Sequence, residues 1–280
     1  MRLPVSPRNT QAMAQALLWA AGLLTLLVLI CIVGFVLKQG LPVLSAEFLT
    51  GRIQDMGKAG GIFPAIVGTF YVALVGLVIA TPLGVGTAIY LTEYTQESRV
   101  TQVIRFGADC LAGVPSIIFG LFGFVFFVVT LKLGWCVLSG GLTLAFMILP
   151  TIIRTAEEAI KAVPYAYREV GFVLGGTKWQ VVSRVVLPRA LPGILTGIIL
   201  GLGRCVGETA AVIFTAGASV RIPVSLLDST RTMSVHFYIL AREGLSMENA
   251  YGTAAALVIA ILLVNLAAYH LMQRFVARYS

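Results

Sequence analysis

Two charges sit where charges are costly. Arg204 and Glu208 interrupt the apolar run 190–217, in Gly203-Arg204-Cys205-Val206-Gly207-Glu208-Thr209-Ala210-Ala211. Counted from Pro192, Arg204 lies ~18 Å along a helix, near the middle of a bilayer core about 30 Å thick. A charge at that depth costs about 2.5–3.5 kcal/mol or more and marks either a path or a paired site. On a helical wheel Gly193, Gly197, Gly201, Arg204, Glu208 and Thr215 share one stripe, small at the inner end and charged farther out. Arginine four residues ahead of glutamate is the weaker order for a helical pair, which leaves the guanidinium freer to meet another group. Two readings stand. One is a salt bridge locking two helices. The other is an anion path lined by Arg204, Glu208 and Thr209, with Glu208 limiting how tightly the anion is held. Asp109, four residues past Arg105, is either a third member or an interfacial charge.

A second constellation occupies the polar segment from Arg154 to Arg189. It reads Arg168-Glu169-Val170-Gly171-Phe172-Val173-Leu174-Gly175, then nine residues, then Val185-Val186-Leu187-Pro188. Ala166, Val170, Val173 and Leu174 fall on one helical face. Gly175-Gly176 supplies a stop, Thr177 caps a second helix from Lys178 to Leu187, and Pro188 ends it. Gly175 must stay small if a side chain there would block the turn. Two short helices at an angle make a knob with an apolar face, suited to a groove on a partner; the alternative is an amphipathic helix lying on the bilayer. Gly171 to Lys178 also resembles a phosphate-binding loop, but Lys and Thr stand in the wrong order and no strand precedes it. A nucleotide site is therefore expected on another chain, with no cofactor bound here.

The elements that must carry these residues are membrane spans. Of the 280 residues 58% are hydrophobic and 11% charged, against about a quarter charged in soluble domains. Six apolar runs reach spanning length, at 14–37, 63–89, 106–131, 134–153, 190–217 and 252–273. The fold class is an all-α polytopic membrane protein. The first run is longer than a signal-peptide core and is read as a retained anchor. The net charge of +8 follows topology, not nucleic acid. With the N-terminus inside, segments 1–13, 90–105, 154–189 and 274–280 hold 12 Lys or Arg, and 38–62, 132–133 and 218–251 hold 7. Both termini are expected in the cytoplasm. Thr81-Pro82-Leu83-Gly84 and Gly113-Val114-Pro115-Ser116 should break their spans, as packing kinks or hinges. Segment 218–250 should hold a short interfacial helix. Cys31, Cys110, Cys136 and Cys205 lack metal-ligand spacing and read as packing residues.

The residues at Glu169, Gly175, Val185, Leu187 and Pro188 resemble the coupling loop of ABC import permeases. Further elements resemble the permease subunits of phosphate-specific ABC importers, the PstA family. These are Gly207-Glu208-Thr209-Ala210 with Phe214-Thr215-Ala216, Gly113-Val114-Pro115-Ser116-Ile117, Ile89-Tyr90-Leu91-Thr92-Glu93-Tyr94 and Arg154-Thr155-Ala156-Glu157-Glu158-Ala159. The paired PstC-type permease shares an Arg-x-x-x-Glu-Thr element and is the alternative, as is an importer for sulfate, molybdate or an amino acid. The chain departs from the pattern at Val170-Gly171, where two alanines are usual, and at Ala211, where proline is common and a kink is therefore not expected. The resemblance implies a type I fold with six spans: a tail, first helix and external loop (1–61), a permease domain (62–272) and a cytoplasmic tail (273–280). It implies coupling through Glu169, Gly171, Gly175, Leu187 and Pro188. It also implies a bacterial inner-membrane location and four kinds of contact: a second permease, an ATPase dimer that holds ATP and magnesium, an extracytoplasmic phosphate-binding protein, and membrane lipid. No catalytic residue is expected.

Overall fold

Small residues decide which helices touch. A computed structural model describes residues 7–279, so Arg2 and Ser280 lie outside the described residues. Helix α1 (Pro7–Gly40) leads into a short α2 (Ala46–Thr50), capped by Ser45, and a two-residue antiparallel hairpin, β1 (Ile53–Gln54) and β2 (Ala59–Gly60). Then come α3 (Phe63–Ile89), prolonged by a π turn at Tyr90–Tyr94, and α4 (Arg99–Ala112). They are followed by α5 (Ser116–Gly123), prolonged by a π segment Phe124–Thr130, and α6 (Val137–Lys161). After α7 (Tyr165–Val173) and α8 (Lys178–Val181), a π turn at Val182–Val186 runs into α9 (Leu187–Gly207). The chain closes with α10 (Ala210–Thr215), α11 (Met233–Arg242) and α12 (Met247–Tyr279).

The core lies where α3, α6 and α9 meet, around Val72, Ala80, Leu144, Ile148, Ile152 and Cys205. A Cβ added at Gly84 of α3 would sit 2.7 Å from Ile152 Cγ2 of α6, so the two backbones are as close as a bare Cα allows. Gly197 of α9 lies against Thr155 of α6 in the same way. The stripe of glycines on α9 is thus spent on α6. Helix α1 is exposed along its apolar length, with Phe35 edge-on to Tyr251 of α12 at 5.8 Å.

Five helices are long and apolar enough to span a membrane, and α4–α5 makes a sixth candidate bent by 102°. The break expected at Gly113–Ser116 is present: α4 and α5 part at Gly113–Pro115, where Pro115 is extended (φ −58°, ψ 140°) and cannot donate to the preceding turn. Several other expectations are corrected here. The apolar face of α4 (Val100, Val103, Phe106) is exposed. Its polar face is tied to α6 by Arg105–Glu157 at 2.7 Å and by Asp109–Arg154. Asp109 therefore pairs with Arg154 and not with Arg204. The expected break at Thr81–Gly84 does not occur; α3 continues through Pro82, with Ala80 and Gly84 pressed on α6. Helix α6 extends to Lys161, so Arg154–Lys161 are helical and not loop. Pro188 does not end the second loop helix. The π turn at Val182–Val186 widens the helix just before a residue that has no N–H, and Lys178–Gly207 is one 30-residue run.

The short helix expected in 218–250 is α11, which packs one face on its neighbours, with Val235, His236 and Leu240 at 0%, 1% and 0% exposure. Arg231 is buried beside it and donates to the carbonyls of Ala218 (3.0 Å) and Met56 (3.2 Å). Burial, and then the Arg231 charge, pushes His236 down to about 4, so its ring is neutral. Of the cysteines, Cys136 and Cys205 are buried as expected; Cys31 and Cys110 are exposed on α1 and α4 and pack in no core of this chain.

Candidate functional site: a docking knob and a broken span

The polar loop folds into a preformed knob. Helix α7 ends in a Schellman motif: Gly176 N–H donates to Gly171 O (3.1 Å) and Gly175 N–H to Phe172 O (2.9 Å), with Gly175 left-handed at φ +78°. Thr177 then caps α8, accepting from Gln180 N–H, while Gln180 Oε1 accepts from Thr177 N–H at 2.8 Å. These bonds satisfy the groups that two helix ends would leave orphaned. Gly171 lets α7 rest on α8, since a Cβ there would lie 2.9 Å from Val181 Cγ2. The departure from the alanine pattern is therefore matched by Val181, which is 2% exposed. Gly175 is small for a different reason than expected. A Cβ there meets nothing within 4 Å, so the turn is not sterically blocked; only its backbone conformation selects glycine.

The outer face of the knob is apolar and uncovered. Val170, Val173 and Leu174 are 57%, 86% and 81% exposed, and no residue of α7 is buried. Glu169 is also exposed and makes no ion pair among the described residues. Leu187 and Pro188 are half-buried in the first turn of α9, so they shape the root of the knob and not its tip.

The residue that fastens the knob is one that sequence reasoning passed over. Arg168, beside Glu169, is turned inward. Its Nη2 lies 2.6 Å and its Nε 3.0 Å from Glu93 Oε1, on the π turn that ends α3. The same guanidinium donates to Ile160 O (3.0 Å) in the last turn of α6 and to Val163 O (2.7 Å) just beyond it. Both side chains are nearly inaccessible, at 11% and 9%. Two cation–π contacts flank the pair: Lys178 over Tyr94 at 5.2 Å and Arg189 over Tyr167 at 3.6 Å. The only local signal was an arginine next to the acidic residue. Its partner is 75 residues away.

Arg204 and Glu208 are not the helical pair expected from their spacing. Helix α9 ends at Gly207, Glu208 is extended (ψ 129°), and the chain re-enters a helix at Ala210. The break is held from both sides. Glu208 Oε1 accepts from Ala211 N–H (3.2 Å), and the Glu208 carbonyl accepts from Ser234 Oγ of α11 (2.6 Å). Arg204 stays on the exposed side of α9 and makes no ion pair among the described residues. Thr209 opens into a cleft of about 510 Å³, lined also by Ile117, Phe214, Tyr238 and Arg242. Arg242 is steadied there by Tyr238 Oη at 3.0 Å.

An apolar knob thus stands uncovered beside a bundle of candidate spans, and Arg204, without an ion pair among the described residues, lies on an open face of α9. Residues 80–280 match the family described as binding-protein-dependent transport system inner membrane component, and the chain belongs to that family. It is 33% identical over 257 residues to the probable ABC transporter permease protein YqgI of Bacillus subtilis, covering 86% of this chain and 87% of that one. It is 38% identical over 222 residues to phosphate transport system permease protein PstA 1 of Mycobacterium tuberculosis (78% and 72% covered). With PstA of Haemophilus influenzae identity is 32% over 234 residues, 82% of each. Among solved structures, a chain of a bacterial ABC transporter importing the acidic polysaccharide alginate aligns at TM-score 0.66 and 16% identity (95% and 99% covered). A chain of the inward-facing methionine transporter MetNI aligns at 0.62 and 21% (77% and 94%). These two establish the fold alone, that of type I ABC importer permeases.

Proposed function

We infer that this chain is one of two permease subunits of an ABC importer that moves inorganic phosphate across the bacterial plasma membrane by alternating access. The observation that carries the importer reading is the rigid, uncovered knob of α7 and α8, whose caps and turn are complete within this chain and whose apolar face is left for a partner. An ATPase dimer, holding ATP and magnesium, is the partner whose groove that face fits; the chain itself does no covalent chemistry. The knob lies on the cytoplasmic side, with both termini, as the arginine bias favours. The identities shared with proteins named PstA support phosphate as the solute. A guanidinium without an ion pair among the described residues, on a helix apolar enough to span a membrane, is suited to a tetrahedral oxyanion, whose oxygens match its planar fork. In the cycle, a loaded extracytoplasmic binding protein docks outside. ATP closes the ATPase dimer, α7 moves with it, and the path past Arg204 and Thr209 opens outward. Hydrolysis resets it.

The test is uptake into proteoliposomes holding this chain, the second permease, the ATPase and the binding protein. ATP inside and labelled phosphate outside should give accumulation that excess sulfate or molybdate does not suppress. Accumulation of sulfate or of an amino acid in its place would overturn the solute reading and keep the importer one.

A further inference from the structure

Resting on the reading of the knob as an ATPase-docking element, we propose that the Glu93–Arg168 ion pair is the link that carries displacement of the knob to α3. Three spans meet below the knob, and each is attached differently. Helix α9 is continuous with α8, so it moves as a lever. Helix α6 is joined through the short linker 162–164. Helix α3 is more than 70 residues away along the chain; Arg168 on Glu93 and Lys178 over Tyr94 are its polar ties to the knob, beside the apolar cluster that joins Ala88 and Ile89 to Val181 and Tyr167. One guanidinium thereby holds α7 that bears it, the last turn of α6 with the linker after it, and the end of α3. The pair is nearly buried and forked, so it resists shear better than a single exposed contact. Helix α3 is itself packed along α6 through Gly84 on Ile152, which spreads a tug at Glu93 through the core. Glu93 and Arg168 are positioning residues; neither needs to touch the transported solute.

The experiment uses the complete reconstituted complex and reads three quantities: ATPase bound per permease, ATP hydrolysed, and inorganic phosphate taken up. Glu93→Gln should keep the ATPase bound and hydrolysing, while phosphate taken up per ATP falls about tenfold, within the range usual for coupling between sites. Glu93→Asp, which retains the charge on a shorter arm, should fall between. Val173→Asp on the knob is the control and should release the ATPase. If Glu93→Gln transports with the native yield per ATP, the proposal is wrong and the docking reading survives. If Val173→Asp keeps the ATPase bound, docking elsewhere is shown and the proposal falls with that reading. If Glu93→Gln and Glu93→Asp both fail to assemble, the pair is a scaffold and not a transmitter.

Discussion

Gly171→Leu should release the ATPase and abolish uptake, whereas Gly175→Leu should weaken both and abolish neither. At Gly171 the obstacle is packing. Even a Cβ stands 2.9 Å from Val181 Cγ2, and Val181 is 2% exposed and has nowhere to go. A leucine must drive α7 off α8, which destroys the angle between the two helices that a groove would read; overpacking of this kind costs about 1–3 kcal/mol. At Gly175 there is open space and only the left-handed backbone (φ +78°) to be met, for about 1–2 kcal/mol. The turn also keeps its Schellman bonds, because a leucine retains the N–H that glycine donates. ATPase captured per inserted permease, measured for both variants beside the native chain, decides the order. Equal effects would mean that the Gly171–Val181 contact does not set the shape of the knob.

Arg204 carries the second large effect. Arg204→Gln should cut phosphate uptake by at least about tenfold at normal complex yield, as expected for loss of one desolvated charge contact. Arg204→Lys should also be impaired, because it keeps the charge and loses the fork. Glu208→Gln should be mild, since its Oε1 can still accept the Ala211 N–H that keeps the break closed. The double variant should match Arg204→Gln alone, because residues that do not share an interaction combine additively. Recovery of uptake in the double variant would reveal a salt bridge between them in the working complex and return Arg204 to the role of a helix lock.

Local signals were readable wherever one short stretch holds both halves of an interaction. Gly175-Gly176 followed by Thr177 spelled out a stop and a cap within three residues, and the fold has both, with Gln180 completing the cap. The apolar runs showed that spans exist but not where they end, since α6 runs on to Lys161 and the run 190–217 parts at Glu208. Pro115 was readable as a break, but Pro82 was not distinguishable from it in sequence. The difference is that α3 presses Ala80 and Gly84 on α6, while Pro115 follows the exposed α4. The interruption at Glu208 went the other way. Ala211 in place of proline argued for a continuous helix, yet Ser234 of α11 and the Glu208 carboxylate hold it open, and neither contact has a sequence period. Arg168 was hidden for the same reason. Helical spacing places it on the knob, but only the folded bundle brings Glu93 beneath it.

The measurement closest to the centre of this account is labelling of Val173→Cys, in a chain whose four native cysteines are replaced by serine. A membrane-impermeant thiol reagent should modify Cys at this 86%-exposed position only from the cytoplasmic face, and rapidly when the permease is alone. Assembly with the ATPase should protect it. Equal labelling with and without bound ATPase, or labelling from outside, would contradict the assignment of α7 as the docking element.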